Sequence, residues 1–370
     1  MTLFESVPNF SEGRDSTVID RLAAAAAGSG VQVLDRSFDG DHHRVVLTLA
    51  GSDPLGGIFA AVACAVESID LARHAGVHPR RGAADVVPIV PLGSASLAEA
   101  TELARALGER IWSELRVPVH FYGAAGRSTL AEVRSAHPPP FDLGDRPHPT
   151  AGVVTVGARP LLVAYNLQLA GVSPAQAVAL AARLRESGGG VRGVQALVFA
   201  VAGGVQLSMN LNRLEETTPA TAREEARRRL PAGGSIVSEE VVGLCPAAAS
   251  AGCAAADGLL LEARLASAAA RAAATECALR GAGSEEMRRL GERLAAEADS
   301  LAGLGSADSL DGAERSAALR RVLRAGRLDL AEPDLLLEVA ARGFRDALPS
   351  AVAGAFPERL AALDRRLAEG

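Results

Sequence analysis

"VQVLDRSFDGDHHRVVLTLAG", residues 31–51, decides how the first half of the chain folds. Two runs rich in Val and Leu, 31–38 and 44–51, flank the polar turn 39–43, which is the pattern of a β-hairpin. Working outward, residues 4–7 are strand-prone and stop at Pro8. Asp15 or Ser16 then opens a helix whose Val18, Ile19, Leu22 and Ala26 fall on one face. Beyond the hairpin, a helix is expected from about 54 to 73, followed by the strand "ADVVPIVPL" at 84–92.

The order β-α-β-β-α-β is the ferredoxin-like arrangement, two helices laid on one face of an antiparallel sheet. A helix around 96–115 and the strand "VPVHFYG" (117–123) extend it. After the Pro-rich link 137–152 the grammar recurs. "VVTVGA" and "LLVAYNLQLA" are strand-like, and Ser173 opens a helix to about Arg185. A hairpin turns around Gly203 and Gly204, a helix spans 219–229, and a strand begins at 235. From about 247 the strands stop. Ala-rich segments with apolar spacing at Met287, Leu290, Leu294 and Leu301 read as helices, interrupted by Gly303, Gly305, Gly312, Pro333, Pro349 and Pro357. The expected class is therefore α+β, with two ferredoxin-like α/β subdomains (1–150 and 151–250) followed by an all-helical C-terminal tail (251–370).

Composition narrows the partners. The chain has 370 residues and a net charge of −6, and it lacks any Lys or Arg run of the kind that binds nucleic acid. Cys64, Cys245, Cys253 and Cys277 form no CxxC pair and show no zinc-ligand spacing, which fits a reducing compartment. "MTLFESVPNF" is no signal sequence, and "AAAAAAGSG" is too short and too weakly apolar to span a bilayer. The expectation is a soluble, cytoplasmic protein acting on small molecules, with no nucleic-acid, membrane or metal partner.

Polar residues gather in loops between strong elements, where chemistry concentrates. These loops are "PNFSEGR" (8–14), "DGDHHR" (39–44), "HAGVHPRRG" (74–82) and "GDRPHPTAG" (144–152), with "GAR" at 157–159. No Walker loop, zinc motif or GxSxG elbow is present. "SGGGVRG" (187–193) lies between a helix and a strand, the reverse of a phosphate loop. Pro79 holds His78 on an extended turn, and Arg80 and Arg81 favour its neutral imidazole, which keeps a lone pair available near neutral pH. His42, His43 and Arg44 are expected to begin a strand, so the two adjacent histidines point to opposite faces. His74, His120 and His148 read as structural. Arg44, Arg80 and Arg159 are guanidinium forks suited to substrate carboxylates.

Several blocks stand in a fixed order: "ESVPNFSEG", "DHHRVVLTLAG", "HPR" followed by "DVVPIVP", "VPVHFYG", "GVVTVGAR", "LVAYN", "SMNL" and "VVGLCP". In that order and spacing the first 250 residues resemble the glutamate formimidoyltransferase family. The resemblance implies a transferase that moves the formimino group of N-formimino-L-glutamate to N5 of tetrahydrofolate, a late step in histidine degradation. It implies tetrahydrofolate as co-substrate, no metal, a homodimer, and substrates held in a groove between two subdomains.

By the same resemblance the catalytic histidine falls on His78 and the folate segment on 144–152, including Gly144, Arg146, His148 and Gly152. Asn9, Ser11, Glu12, His43 and Arg44 fall on groove-facing positions. The chemistry calls for a base at N5, an acid at the leaving nitrogen, and arginines such as Arg44, Arg80 or Arg159 for the glutamyl carboxylates. Asn166, Asn210 and Tyr165 are candidates for the pterin edge.

Three departures stand out. Val77 occupies a place where relatives often carry Glu, so the carboxylate partner of His78 must come from Asp39, Asp41 or Asp85. His43 stands where Asn is common. The "PGGGS" signature of the cyclodeaminase partner is absent from 250–370, so no cyclodeaminase activity is expected. Rival readings are a folate-dependent transferase with another formimino or formyl donor, and a non-catalytic folate-binding paralogue.

Overall fold

The computed structural model describes residues 3–29, 31–93, 95–202 and 204–261, with scattered positions from 263 to 299. The described residues form a mixed α+β structure with two sheets. The chain divides into a compact unit of residues 4–244 and a second comprising 1–3 and 245–370.

In the first sheet the hairpin is β3 (Gln32–Asp39) against β4 (Arg44–Gly51), closing with Asp39 opposite Arg44. β4 also pairs β1 (Leu3–Ser6) and β2 (Asn9–Phe10), and β5 (Ala84–Leu92) lies beyond these. Alternation decides what each strand residue does. Val45, Leu47 and Leu49 enter a core shared with Ile19 and Leu22 of α1 (Ser16–Ala27), Ile58 and Val62 of α2 (Leu55–Ser68) and Leu107 of α3 (Leu97–Arg110). Arg44, Val46 and Thr48 are left on the opposite face. The helices start where the sequence signals them. The Asp15 carboxylate accepts from the N–H of Thr17 and Val18, and Ser96 and Glu99 form a capping box. Each such cap contributes about 1 kcal/mol.

Several boundaries differ from expectation. α2 stops at Ser68, because Ile69 is extended and Asp70 caps a separate short turn, Leu71–Arg73. α3 ends at Arg110 and a π-turn, Ile111–Leu115, follows, closed by Arg116 at φ 56°. β6 (Val119–Gly123) begins after Pro118, which has no N–H to give a ladder. β7 (Val154–Ala158) pairs in parallel with both β5 and β6, so the first sheet runs past residue 150. A short helix, α4 (Leu130–Val133), precedes the Pro-rich link.

The second sheet has the order β11-β8-β10-β9, all antiparallel, from β8 (Val163–Ala170), β9 (Val194–Val201), β10 (Gly204–Leu211) and β11 (Ser235–Val242). α5 (Pro174–Leu184) and α6 (Pro219–Arg229) connect them, each with Pro at its start and a Ser173 or Thr218 cap. Val163, Tyr165, Leu167 and Leu169 are buried. Asn166, Gln168, Gln206 and Ser208, offset by one residue, give the other face a polar surface.

In the second unit, Cys245 pairs Leu260, and Leu261, Leu265 and Ser267 are helical, with the Ser267 hydroxyl donating to the Ala298 carbonyl. Most of the expected tail, including Met287, Leu290, Leu294, Leu301 and Cys277, lies outside the described residues. Among the described residues no helix is long and apolar enough to cross a membrane.

Candidate active site

The loop 74–82 delivers His78 to the start of β4, where Arg44 is fixed on the face away from the helices. One Arg44 nitrogen approaches His78 Nδ1 at 2.5 Å, its Nε donates to Asn9 Oδ1 at 2.9 Å, and the other terminal nitrogen donates to Asp85 Oδ2 at 2.8 Å. Asp85, 1 % exposed, also accepts from Arg134 at 2.6 Å and from the Arg81 backbone N–H at 2.7 Å. Burial alone would raise the Asp85 carboxyl, but the Arg44 and Arg134 guanidiniums outweigh it and hold it below the ordinary carboxylate range.

His78 is pushed the other way, down to about 3, by burial first and then by the charges of Arg44 and Arg134. Its imidazole is therefore neutral at physiological pH. Nδ1 also lies 2.7 Å from the Pro79 carbonyl. A single nitrogen cannot accept from Arg44 and donate to Pro79 at once, so the two contacts belong to different tautomers. With the proton on Nδ1 the lone pair is on Nε2.

The opposite wall comes from the second sheet. Phe199 of β9 lies 5.2 Å, centroid to centroid, from the His78 ring and 5.1 Å from that of His42, and His42 Nε2 is 2.9 Å from Gln206 Oε1. Asp41 accepts from the Ala202 N–H at 2.9 Å. The polar face of the second sheet is thus turned toward His78. Sequence reasoning gave His42, Phe199 and Gln206 no role in the site, because nothing in a single chain says which hairpin tip meets which sheet.

The remaining expected residues divide by what already occupies them. Glu12 Oε1 accepts from the N–H groups of Gly13, Arg14 and Asp15 and faces His43 Nε2 at 3.0 Å. These contacts hold Glu12 below its usual range although burial pushes it up. His43 belongs to a turn rather than a strand, at φ 52°, and stacks on His74 with centroids 4.0 Å apart. Ser11 donates to the Gly82 carbonyl and Arg80 donates to the carbonyls of His74, Gly76 and His78, so both serve the loop's own shape.

Asp39 accepts from the His42 N–H within its turn and Asp41 from the Ala202 N–H, so among the described residues both carboxylates are engaged elsewhere than on His78. Asp85 is joined to His78 by hydrogen bonds through Arg44, and its charge partly offsets the suppression of the imidazole. Tyr165 is fully buried and donates to Glu239, on the face away from Asn166, so it is no pterin wall. Asn166 is held by Glu240 at 2.9 Å, and Asn210 lies further along the polar face of β10.

In the 144–152 segment, His148 Nδ1 accepts from the Ala151 N–H, and Gly152, at φ 68°, lies against the Arg81 carbonyl, where a Cβ would come within 2.2 Å. The Ala83 N–H donates to the Ala151 carbonyl and the Val153 N–H to the Arg81 carbonyl, so this loop is fastened to the one carrying His78. Gly144 packs against Pro118 and Trp112, and Arg146 is exposed. Arg159 donates to the Pro160 carbonyl and hydrogen-bonds Tyr122, whose hydroxyl is raised by burial. Among the described residues no cluster of His, Cys, Asp and Glu could hold a metal ion.

Comparison with known proteins points one way. The family described as Formiminotransferase domain, N-terminal subdomain, matches residues 3–159. The chain is 39 % identical over 272 residues to the glutamate formimidoyltransferase of Streptococcus pyogenes serotype M1, covering 67 % of this chain and 90 % of that one. It is 36 % identical to the glutamate formimidoyltransferase of Thermoplasma acidophilum, covering 66 % and 89 %. With the formimidoyltransferase-cyclodeaminase of Rattus norvegicus it shares 35 % identity, covering 66 % of this chain and 50 % of that protein. On this evidence the chain belongs to the formiminotransferase family.

Proposed function

We propose that the protein is a glutamate formimidoyltransferase, a one-carbon transferase that moves the formimino group of N-formimino-L-glutamate to N5 of tetrahydrofolate. The observation that carries this reading is His78, a half-buried neutral imidazole beside Arg44, which Asp85 holds, facing the polar side of a second sheet. N5 attacks the formimino carbon. His78 Nε2 takes the proton that N5 loses as the C–N bond forms, and returns it to the glutamate nitrogen as that bond breaks. The same proton moves twice, and no outside acid is consumed. In this tautomer the Nδ1–H donates to the Pro79 carbonyl, which fixes the ring, while Asp85 sets the position of Arg44 beside it.

Both substrates end in carboxylates, and the arginines of this face supply complementary charge. Holding two reactants in one groove is worth up to roughly 7–11 kcal/mol of barrier in ideal cases. Tetrahydrofolate is the co-substrate, with the 144–152 segment and Asn166 and Asn210 assigned to it. We assign the chain two ferredoxin-like subdomains, with the boundary expected at 150 moved past β7, which pairs β5 and β6 of the first sheet. We assign residues 251–370 to a helical tail, and the working unit to a cytoplasmic homodimer.

The test is purified protein with formiminoglutamate and tetrahydrofolate, followed by acid conversion of the product to the absorbing 5,10-methenyl form. The expected result is product with formiminoglutamate and none with a formyl donor. Tight folate binding with no product would favour a non-catalytic paralogue.

A further inference from the structure

The groove face of the first sheet carries more cations than its own carboxylates balance. Arg44 and Arg134 share one buried carboxylate, Asp85, and the Tyr122 hydroxyl feels the charge of both Arg159, its hydrogen-bond partner, and Arg134. Along this row there is one anion for three guanidiniums. A partly desolvated surplus of that kind is costly unless a bound anion completes it. Arg44 is already engaged by Asn9, by Asp85 and, depending on the tautomer, by His78 Nδ1 or the Pro79 carbonyl. Arg80 is spent on three backbone carbonyls.

Arg134 differs from both. One terminal nitrogen holds Asp85, while its Nε is buried and meets no acceptor among the described residues. Its side chain remains 19 % exposed. A guanidinium with a desolvated and unused N–H is organised for one more acceptor, and the planar fork suits a carboxylate.

We propose that Arg134 binds the side-chain carboxylate of the formimino donor and so makes the enzyme selective for an amino dicarboxylate over an amino acid with a neutral side chain. The assignment rests on the formimidoyltransferase reading above and names the residue that selects its donor. A second consequence concerns His78. A carboxylate seated on Arg134 cancels one of the two charges that suppress proton uptake by the imidazole, so the donor itself makes His78 a better base.

The test compares wild type, Arg134→Gln and Arg134→Lys with N-formimino-L-glutamate and N-formiminoglycine as donors, alongside calorimetric binding of L-glutamate and L-glutamine. Loss of a charge-assisted hydrogen bond predicts that Arg134→Gln raises the KM for formiminoglutamate roughly 10- to 100-fold. The preference for formiminoglutamate over formiminoglycine, read as the ratio of their kcat/KM values, should fall by a similar factor, a ratio that loss of folded protein alone would leave unchanged. Arg134→Lys should recover part of the preference. An unchanged glutamate-to-glycine preference in Arg134→Gln would overturn the assignment, as would an increase confined to the KM for tetrahydrofolate. The two readings fail separately. Wild type that binds glutamate better than glutamine, with the difference lost in Arg134→Gln, but transfers nothing would remove the transferase function and leave Arg134 as a dicarboxylate site.

Discussion

A histidine flanked by two guanidiniums stays neutral far below the pH at which an exposed imidazole titrates, and this governs what His78 can do. In free enzyme the acid limb of kcat/KM assignable to His78 should therefore fall well below pH 6.5, toward the suppressed value of about 3. The profile of kcat, which reports the loaded enzyme, should have its limb at higher pH, because bound carboxylate relieves the repulsion. A pH–rate series in both parameters checks this, and coincident limbs near 6.5 would contradict it.

Stability follows the same group. Between about pH 6.5 and 3 the unfolded chain binds a proton on this histidine that the native site refuses, so this group makes stability fall as pH drops through that window. The depressed Asp85 carboxyl adds stability above its unfolded range and loses it only at still lower pH, as the folded group finally takes a proton. Asp85→Asn leaves Arg44 and Arg134 without their shared carboxylate. It should cost about 3–5 kcal/mol, measured by denaturant unfolding.

Much of the residue-level site was readable because Pro79 and the short polar loops mark it locally. Arg134 was not. It caps a four-residue helix ahead of a Pro-rich link, and only its fold-dependent meeting with Asp85, 49 positions away, gives it meaning.

Secondary elements place these side chains through close backbone approaches. Gly13 sits where a Cβ would come within 2.2 Å of the Asp39 carbonyl and 2.5 Å of the Arg44 N–H, at the closing pair of the β3–β4 hairpin. Gly13→Ala should push that pair apart, destabilise the fold by about 1–3 kcal/mol and displace Arg44. Thermal unfolding together with turnover would show both effects, and a neutral result in both would mean that the turn yields easily.

At this scale the sequence was most legible where caps and prolines punctuate it. β5 and α6 begin and end where the pattern puts them, and Asp15 caps α1. It was least legible where tertiary pairing decides. β7 is apolar enough for either sheet, and its parallel fit between β5 and β6 assigned it to the first. Tyr165 and Asn166 are neighbours in sequence, but strand alternation turns one into the core and the other onto the polar face.

The molecule as a whole presents two sheets whose non-helical faces meet around His78, within the unit of residues 4–244. His120 of β6, 1 % exposed, has neither ring nitrogen paired among the described residues and touches Phe141. Its basicity is lowered by burial. His120→Leu should leave turnover within about twofold and change stability by under about 1.5 kcal/mol, as expected for an imidazole that packs but does not react. A large loss of turnover would draw β6 into the chemistry.

The proposed mechanism turns on His78 moving the proton between tetrahydrofolate N5 and the glutamate nitrogen. Its most direct test is single-turnover formation of 5-formiminotetrahydrofolate by wild type and His78→Ala, with tetrahydrofolate affinity measured on both. The account predicts a fall of about 10²- to 10⁴-fold in the rate of the chemical step with affinity essentially unchanged. A variant that transfers the formimino group at the wild-type rate would contradict it.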